Sequence, residues 1–355
     1  MTRAIVGFAV LFGALFAWDR ALSREARVKR AARTRVDFVI PPERRQALPV
    51  AALRVEIPGE PELLLARVKG DWRALSYERA HADRVAVAAL VRALTETQGT
   101  IVSEDPAAAQ QYGIGGGRSV VVTLAGPKVL DDPAGDVLEA FELGRSLGER
   151  GAGFLRRRGS PAIWRIESDP KALLAPRAAP GLPPLLDPAV IPGTWNGWAA
   201  GLADVFVDHA DGTSLHLERR LRDPATDPPA AGETPWRWWV GGDDDFPAAP
   251  TPARGYELFL ARAPFVEVVD ASRAQELGLE TPATRLTLAA DGLEPLEVLI
   301  GVPLADERVP VFAPALGRLV LVTPAVARLL APPAAWLDPA DPRNLWDPYL
   351  RETRR

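Results

Sequence analysis

The chain carries two regions in which apolar and polar residues alternate. A period of two is typical of strands with one buried face, so each region predicts a pair of short strands. The apolar positions of the first region are Leu53, Val55 and Ile57, followed by Leu63 to Val68, and those of the second are Val205, Val207, Leu215 and Leu217.

A helical period follows each predicted strand pair. Val87, Leu90, Val91 and Leu94 recur at i, i+3, i+4 and i+7, which places them on one face of a helix. Tyr256, Phe259 and Leu260 are the corresponding residues later in the chain. The predicted order of two strands followed by a helix therefore occurs twice in the chain.

Short landmarks extend this repeat at a separation of roughly 160 residues. The segment "TIVSEDPAAAQQYGIGGGRSVVVT" aligns with "FVEVVDASRAQELGLETPATRLTL", which pairs Asp105 with Asp270 and Gly113 with Gly278. Further on, Gly144 in "FELG" aligns with Gly301 in "VLIG". These four glycines, Gly113, Gly144, Gly278 and Gly301, are predicted to be structural turn residues.

The repeat predicts an α+β fold with two tandem duplicated domains. Each is a mostly antiparallel twisted sheet with one main helix and short helices, because links of hairpin length leave no room for parallel crossovers. The predicted organisation is a membrane anchor or signal segment at 1–19, a basic juxtamembrane linker at 20–50, a first repeat domain at 51–177, a proline-rich connector at 178–201, a second repeat domain at 202–332 and a C-terminal tail at 333–355.

The amino terminus contains an uncharged apolar run from Ala4 to Trp18. An uncleaved transmembrane helix, a signal peptide cleaved near Ala21 to Ser23 and a buried globular helix are all open, and we favour the anchor. Basic residues after the run conflict with export under the positive-inside rule, yet large domains translocate largely regardless of charge. The residues assigned to the anchor are Arg3, Ile5, Phe8, Leu11, Phe12, Leu15 and Trp18.

Composition removes several classes of function. The chain has no cysteine, which excludes disulfides, thiolate catalysis and cysteine metal sites. Its 42 basic and 46 acidic residues give a net charge of −4, so nucleic acid is not an expected partner.

The glycine-rich stretch "YGIGGGRSVVVTL" does not have the order of a phosphate-binding loop. Such a loop follows a strand and opens a helix, whereas here Gly113 to Gly117 precede a predicted strand. No Lys-Ser/Thr pair completes a P-loop, and the second copy keeps only Gly278. The glycines are predicted to form a tight turn.

Other polar residues show no catalytic or metal-binding pattern. The three histidines are assigned to surface or capping roles, Asp243 to Asp245 to a hairpin turn rather than a calcium site, and Arg156 to Arg158 to the solvated face of an edge strand. No catalytic, cofactor or metal residue is assigned, and no cofactor is expected.

Tryptophan is the more informative residue type. The adjacent Trp238 and Trp239 must face opposite sides of a strand, so one lies outside the local core. Either the C-terminal tail covers it, which we favour, or it belongs to a partner surface. Trp238, Trp239 and Trp346 are the predicted partner-surface residues.

The order of these landmarks resembles the bacterial family called domain of unknown function 4340, in two tandem copies. The residues that carry the resemblance are Trp72, Tyr112-Gly113-Ile114, Leu143-Gly144 and Leu173-Leu174, then Trp236, Leu277-Gly278-Leu279, Ile300-Gly301 and Leu329-Leu330. The resemblance implies an anchored extracytoplasmic protein that accompanies ABC-type transport systems related to gliding-motility components. It implies no catalytic residues.

The expected function is a non-enzymatic accessory or scaffold protein, held in the inner membrane by one helix with most of the chain in the periplasm. Its expected partners are an ABC-type permease and ATPase. An envelope enzyme of hydrolase type, or a glycan or lipid binder that uses a cleft between the two repeats, is the alternative.

Overall fold

The computed structural model of the chain describes residue 20 and residues 36–45, 48–127, 136–148, 151–175, 182–193, 201–223, 225–229, 234–241 and 245–337. The predicted anchor residues between Arg3 and Trp18 lie outside these ranges, as does Trp346. Among the helices of the described residues, none is long and apolar enough to cross a membrane.

Two large antiparallel sheets account for most of the described structure, which confirms the predicted sheet type. The first sheet has ten strands in the order β1-β6-β10-β9-β8-β7-β2-β3-β4-β5. Its strands are β1 (Val36–Phe38), β2 (Ala52–Glu56), β3 (Leu63–Val68), β4 (Asp71–Ala74), β5 (Ala80–His81), β6 (Gln98–Ser103), β7 (Val120–Ala125), β8 (Val137–Leu147), β9 (Ala152–Arg157) and β10 (Ile163–Ile166).

The second sheet has nine strands in the order β14-β13-β12-β11-β16-β17-β18-β19-β15. Its strands are β11 (Leu202–His209), β12 (Ser214–Leu221), β13 (Trp236–Gly241), β14 (Phe246–Pro247), β15 (Glu267–Val269), β16 (Thr284–Ala290), β17 (Leu296–Ile300), β18 (Val309–Ala313) and β19 (Arg318–Val322).

The two sheets repeat one topology. From one edge, the first runs β5-β4-β3-β2-β7-β8-β9-β10-β6 and the second β14-β13-β12-β11-β16-β17-β18-β19-β15, so each strand of one has its counterpart in chain order in the other. β1, which pairs with β6, is the exception: among the strands that the structure describes, none in the second sheet corresponds to it.

The α-helices of the described residues are short: α1 (Pro42–Arg45), α2 (Arg84–Thr95), α3 (Pro250–Leu260) and α4 (Pro324–Leu330). In α2 the predicted apolar face is buried at Val87, Leu90 and Leu94, and in α3 at Tyr256, Phe259 and Leu260.

By packing, the chain forms two compact units. The second comprises Arg67–Val87 together with the residues from Ala175 onward, and the first comprises the residues before Arg67 and Ala88–Leu174.

The second sheet of the chain buries apolar side chains on both faces. Along β19, Val320 and Val322 belong to the main core with α3 and α4, while Leu319 and Leu321 belong to a smaller cluster. Since neighbouring strand residues point to opposite faces, the two clusters lie on opposite sides of the sheet. The smaller one is completed by Leu279, which follows the "LGL" glycine.

The assignment of Arg156 to Arg158 to an edge strand is wrong. β9, which ends at Arg157, lies between β8 and β10 in the interior of its sheet. Arg156 and Arg158 form ion pairs with the nearly buried Glu142, at 2.5 and 3.3 Å. These arginines are therefore neutralised by carboxylates of the neighbouring strand β8.

Candidate functional site

The aligned glycine landmarks build the same local structure beside each sheet. One 3-10 helix is capped by Asp105 and another by Asp270, each carboxylate accepting a backbone N–H two residues on, at 2.9 and 2.8 Å. Gly113 and Gly278 follow these helices with φ of +71° and +73°. A positive φ is accessible to glycine at little cost, which explains the residue type at both turns.

Gly144 and Gly301 have a different reason for being glycine. Gly144 lies inside β8 and Gly301 directly follows β17, so their assignment to turns is wrong. A Cβ atom on Gly144 would collide with the Tyr112 carbonyl oxygen, and one on Gly301 would lie 2.7 Å from Pro310 Cγ. Both glycines provide space for a neighbouring segment, and neither adopts a positive φ.

The glycine loop itself precedes β7, and Gly115, Gly116 and Gly117 all have positive φ. A pocket of about 370 Å³ lies beside it, lined in part by Glu56, Glu142 and Arg158. Two carboxylates oppose the single guanidinium there, so the pocket has no net positive charge to attract phosphate.

His81 is a buried residue that contacts Arg73, so its assignment to a surface or capping role is wrong. Its side chain is 3% exposed, and its Nδ1 lies 2.9 Å from Nη1 of Arg73. Burial, together with the positive charges of Arg318 and Arg73, lowers the pKa of His81 to about 3. The imidazole is therefore neutral at physiological pH, with Nδ1 as the acceptor.

Arg318 is a buried cation close to His81. Its guanidinium donates to the backbone carbonyls of Asp187 and Ala189 at 2.8 and 2.7 Å, and it lies over the ring of Phe265. Burial lowers the pKa of Arg318 to about 10, so it remains charged at neutral pH. Arg318 therefore fastens residues 187–189 of the connector to the start of β19.

The remaining histidines contact single polar partners. His209 Nδ1 lies 3.0 Å from Thr284 Oγ1, and His216 Nε2 lies 3.1 Å from Asp204 Oδ1. Within the part of the chain that the structure describes, no group of three or more histidine, aspartate or glutamate side chains is placed to hold a metal ion.

The predicted partner-surface tryptophans lie on β13. Trp238 is half-buried and packs against the edge of the main core, on the same face of the strand as Trp236. Trp239 is also half-buried, on the opposite face, where Arg220 lies over its ring at 5.2 Å. Trp236 is the more accessible residue, with 39% of its surface exposed.

Trp236 and Trp238 line a groove of about 830 Å³ in the second unit. We call it the tryptophan groove. One wall is a single stripe of α3, formed by Pro250, Ala253, Arg254, Glu257, Leu258 and Ala261; the other lining residues are Arg219, Arg222, Thr234, Arg237, Ala248 and Asp291.

The groove exists because the core layer ends before the sheet does. Along β12, Leu215 and Leu217 are buried beneath the main core, but Leu221 on the same face is 64% exposed. Along β13, Val240 is buried while Trp236 is exposed. At this end of the sheet the main core does not cover the side chains of Leu221 and Trp236.

Arginine and carboxylate pairs surround the aromatic surface. The four lining arginines are Arg219, Arg222, Arg237 and Arg254, and their carboxylate partners include Asp227, Glu257 and Asp291. Asp227 pairs with both Arg222 and Arg237. The lining residues themselves comprise these four arginines and two carboxylates, Glu257 and Asp291. Arg219 also lies over the ring of Trp236, at 5.2 Å.

The sequence did not indicate most of this groove. Trp238 was predicted at a partner surface, but the contributions of Trp236, Leu258 and Arg219 depend on α3 crossing the sheet at this point. The corresponding tryptophan of the first sheet, Trp72, is only 6% exposed. At this pair of aligned positions, only the tryptophan of the second sheet is accessible.

Comparison with known families gives a match for one segment of the chain. Residues 72–179 match the family described as Domain of unknown function (DUF4340). The family predicted from the landmarks is therefore confirmed for this segment, which is less than a third of the chain. The DUF4340 segment begins in β4 and continues beyond β10. No curated protein matches the chain, and no solved structure matches it.

Proposed function

We propose that the protein is a non-enzymatic accessory or scaffold protein of an ABC-type transport or motility-related envelope complex. In this proposal residues 1–19 anchor the chain in the inner membrane and most of it lies in the periplasm. The apolar run from Ala4 to Trp18 and the DUF4340 match support the proposal.

We further interpret the chain as a tandem duplication of the DUF4340 domain. The one-to-one correspondence of strand order supports this, as do the matched caps and turns at Asp105 to Gly113 and Asp270 to Gly278. A duplicated domain frees one copy to change its surface while the other retains the original packing.

The tryptophan groove is the partner surface in this proposal, and the observation that carries it is the exposure of Trp236 and Leu258, each 39% exposed on facing walls. Interfaces are enriched in tryptophan and arginine, and fully desolvated aromatic side chains dominate their binding energy. A groove bounded by rigid elements loses little conformational entropy when a partner binds.

The test is co-purification of the tagged full-length protein, extracted in mild detergent from its native host. A permease and an ATPase recovered in stoichiometric amounts would support the proposal. Trp236→Ala and Leu258→Ser should each reduce their recovery by roughly tenfold or more, because hot-spot truncations cost about 2 kcal/mol of binding.

Val302→Ser is the matched control, since Val302 is 59% exposed and does not line the groove. If all three variants recovered as much permease and ATPase as the wild-type protein, the tryptophan groove would not be the partner surface. Recovery of the wild-type protein alone would overturn the accessory function itself.

A further inference from the structure

The last described segment of the chain ends at one end of the tryptophan groove. The 3-10 helix Ala334–Leu337 packs against α3 and β12, and Leu337 is completely buried in the main core. The Leu337 carbonyl accepts a hydrogen bond from the Ala249 N–H at 3.0 Å. Ala249 lies between Ala248 and Pro250, which both line the groove.

Residues 338–350, "DPADPRNLWDPYL", therefore start beside the groove. Their composition complements it: Asp338, Asp341 and Asp347 against one arginine give a net charge of −2, whereas the groove is lined by four arginines and two carboxylates. Leu345, Trp346, Tyr349 and Leu350 supply the apolar and aromatic surface that such a groove buries.

Three Asp-Pro pairs favour an extended backbone in this segment. The residue before a proline is biased away from the helical region, and proline-rich chains are already extended before they bind. An extended segment loses less conformational entropy on entering a groove than a flexible one.

The segment is also long enough. The α3 stripe from Pro250 to Ala261 rises roughly 17 Å at 1.5 Å per residue. Trp346 lies nine residues beyond Leu337, which corresponds to about 28 Å in an extended proline-rich chain. Trp346 can therefore reach any part of the groove while Leu337 stays in the core.

We propose that residues 338–350 bind in the tryptophan groove of their own chain, with their aromatic side chains against Trp236 and Leu258 and their carboxylates toward the arginine rim. This docking is independent of the accessory function. If the groove also binds the transport partner, a consequence that rests on the proposed function, tail and partner compete for it.

The experiment measures access to the far end of the groove by thiol labelling. The natural chain has no cysteine, so Ala261→Cys introduces a single thiol at a groove position. It is placed in the full-length protein with the natural tail and in a second version carrying Leu345→Ser and Trp346→Ala. Maleimide labelling rates are compared in the purified, partner-free protein in detergent.

Docking predicts that the thiol at 261 reacts about fivefold more slowly with the natural tail, the factor expected when the tail is bound about four-fifths of the time. A thiol at the control position, Val302→Cys, should label at the same rate in both versions. A synthetic peptide of residues 338–355 should restore the slow rate when added to the tail variant.

Equal labelling at 261 with both tails would overturn the proposal. Protection that increases with protein concentration would also overturn it, because the occupant would then be a second copy. The labelling assay contains no partner, so equal labelling rates would not contradict the accessory function. Conversely, a co-purification without permease and ATPase would not contradict tail docking. If both hold, the tail variant should recover more of the transport complex than the natural chain.

Discussion

Gly144 of β8 lies directly against Ile114, the residue that closes the first glycine turn: a Cβ atom on Gly144 would be 2.8 Å from Ile114 Cγ1. Ile114 is completely buried at this contact. In the second copy Gly301 stands in the same relationship to Leu279, at 3.3 Å from its Cδ2. Each turn therefore packs against one glycine of the sheet, Ile114 against Gly144 and Leu279 against Gly301. This contact explains why the turn and the glycine recur together in the sequence.

Gly144→Ala should destabilise the protein by roughly 1–3 kcal/mol, the usual range for overpacking a core. The added methyl group meets the backbone carbonyl of Tyr112, which cannot move without disturbing the turn. Gly301→Ala should cost less, because its nearest obstacles are side-chain atoms of Pro310 and Leu279. Urea denaturation of the two variants compares them, and equal losses would show that the backbone of the first turn yields as easily as side chains.

Arg318→Ala should be strongly destabilising, by about 3 kcal/mol or more. It removes the buried donor for the carbonyls of Asp187 and Ala189, and each unsatisfied buried group costs about 1–3 kcal/mol. Arg285→Ala is the control, because its ion pair with Glu297 is half exposed and such pairs contribute less than about 1 kcal/mol. Similar thermal stabilities for the two variants would show that Arg318 does not hold the connector.

The stability of the protein should fall between pH 7 and pH 5 because of His81. Its folded pKa of about 3 lies below the unfolded value of about 6.5, so the folded state binds fewer protons and its stability is lost as pH falls below about 6.5. The slope approaches about 1.4 kcal/mol per pH unit, or roughly 2 kcal/mol by pH 5.

His81→Gln should remove this dependence, since glutamine keeps an acceptor for Arg73 but does not titrate. Free energies of unfolding at pH 7 and pH 5 provide the measurement. His216→Gln is the control and should retain the slope. A slope unchanged in His81→Gln would mean that another group takes up the proton.

Tyr256→Phe should cost roughly 1 kcal/mol of stability. The buried Tyr256 hydroxyl donates to the Leu330 carbonyl at 2.8 Å and so joins α3 to the end of α4. Burial also raises the pKa of Tyr256, so this hydroxyl remains a donor in alkaline solution. Chemical denaturation of Tyr256→Phe, beside Tyr77→Phe on a half-buried side chain, measures the difference; equal stabilities would contradict the role of this bond.

The local periodicity of apolar residues was sufficient to predict several strands and the buried faces of two helices. The period of two located β2, β3, β11 and β12, and the helical period located the buried faces of α2 and α3. These predictions succeed because a strand or helix with one buried face imposes its own geometric period on the sequence. The aligned landmarks led to two sheets of one topology for the same reason.

Predictions that depended on the neighbours of an element were less successful. Arg156 to Arg158 were assigned to an edge strand, and His81 to a surface or capping role, from their local sequence. Both assignments are wrong because strand order and burial depend on segments distant in the chain: β9 lies between two strands, and His81 lies beside Arg73 and Arg318. Trp238 was assigned to a surface, but the groove around it required the position of α3.

The sequence by itself determined the repeated order of strands and helices, the antiparallel pairing and the glycine turns, because these follow from interactions within a few residues or between adjacent segments. Only the tertiary structure decided which glycine serves conformation and which serves space, which histidine is buried, and where the core ends early enough to expose Trp236. Those properties depend on the distance between residues far apart in the chain, and packing fixes that distance.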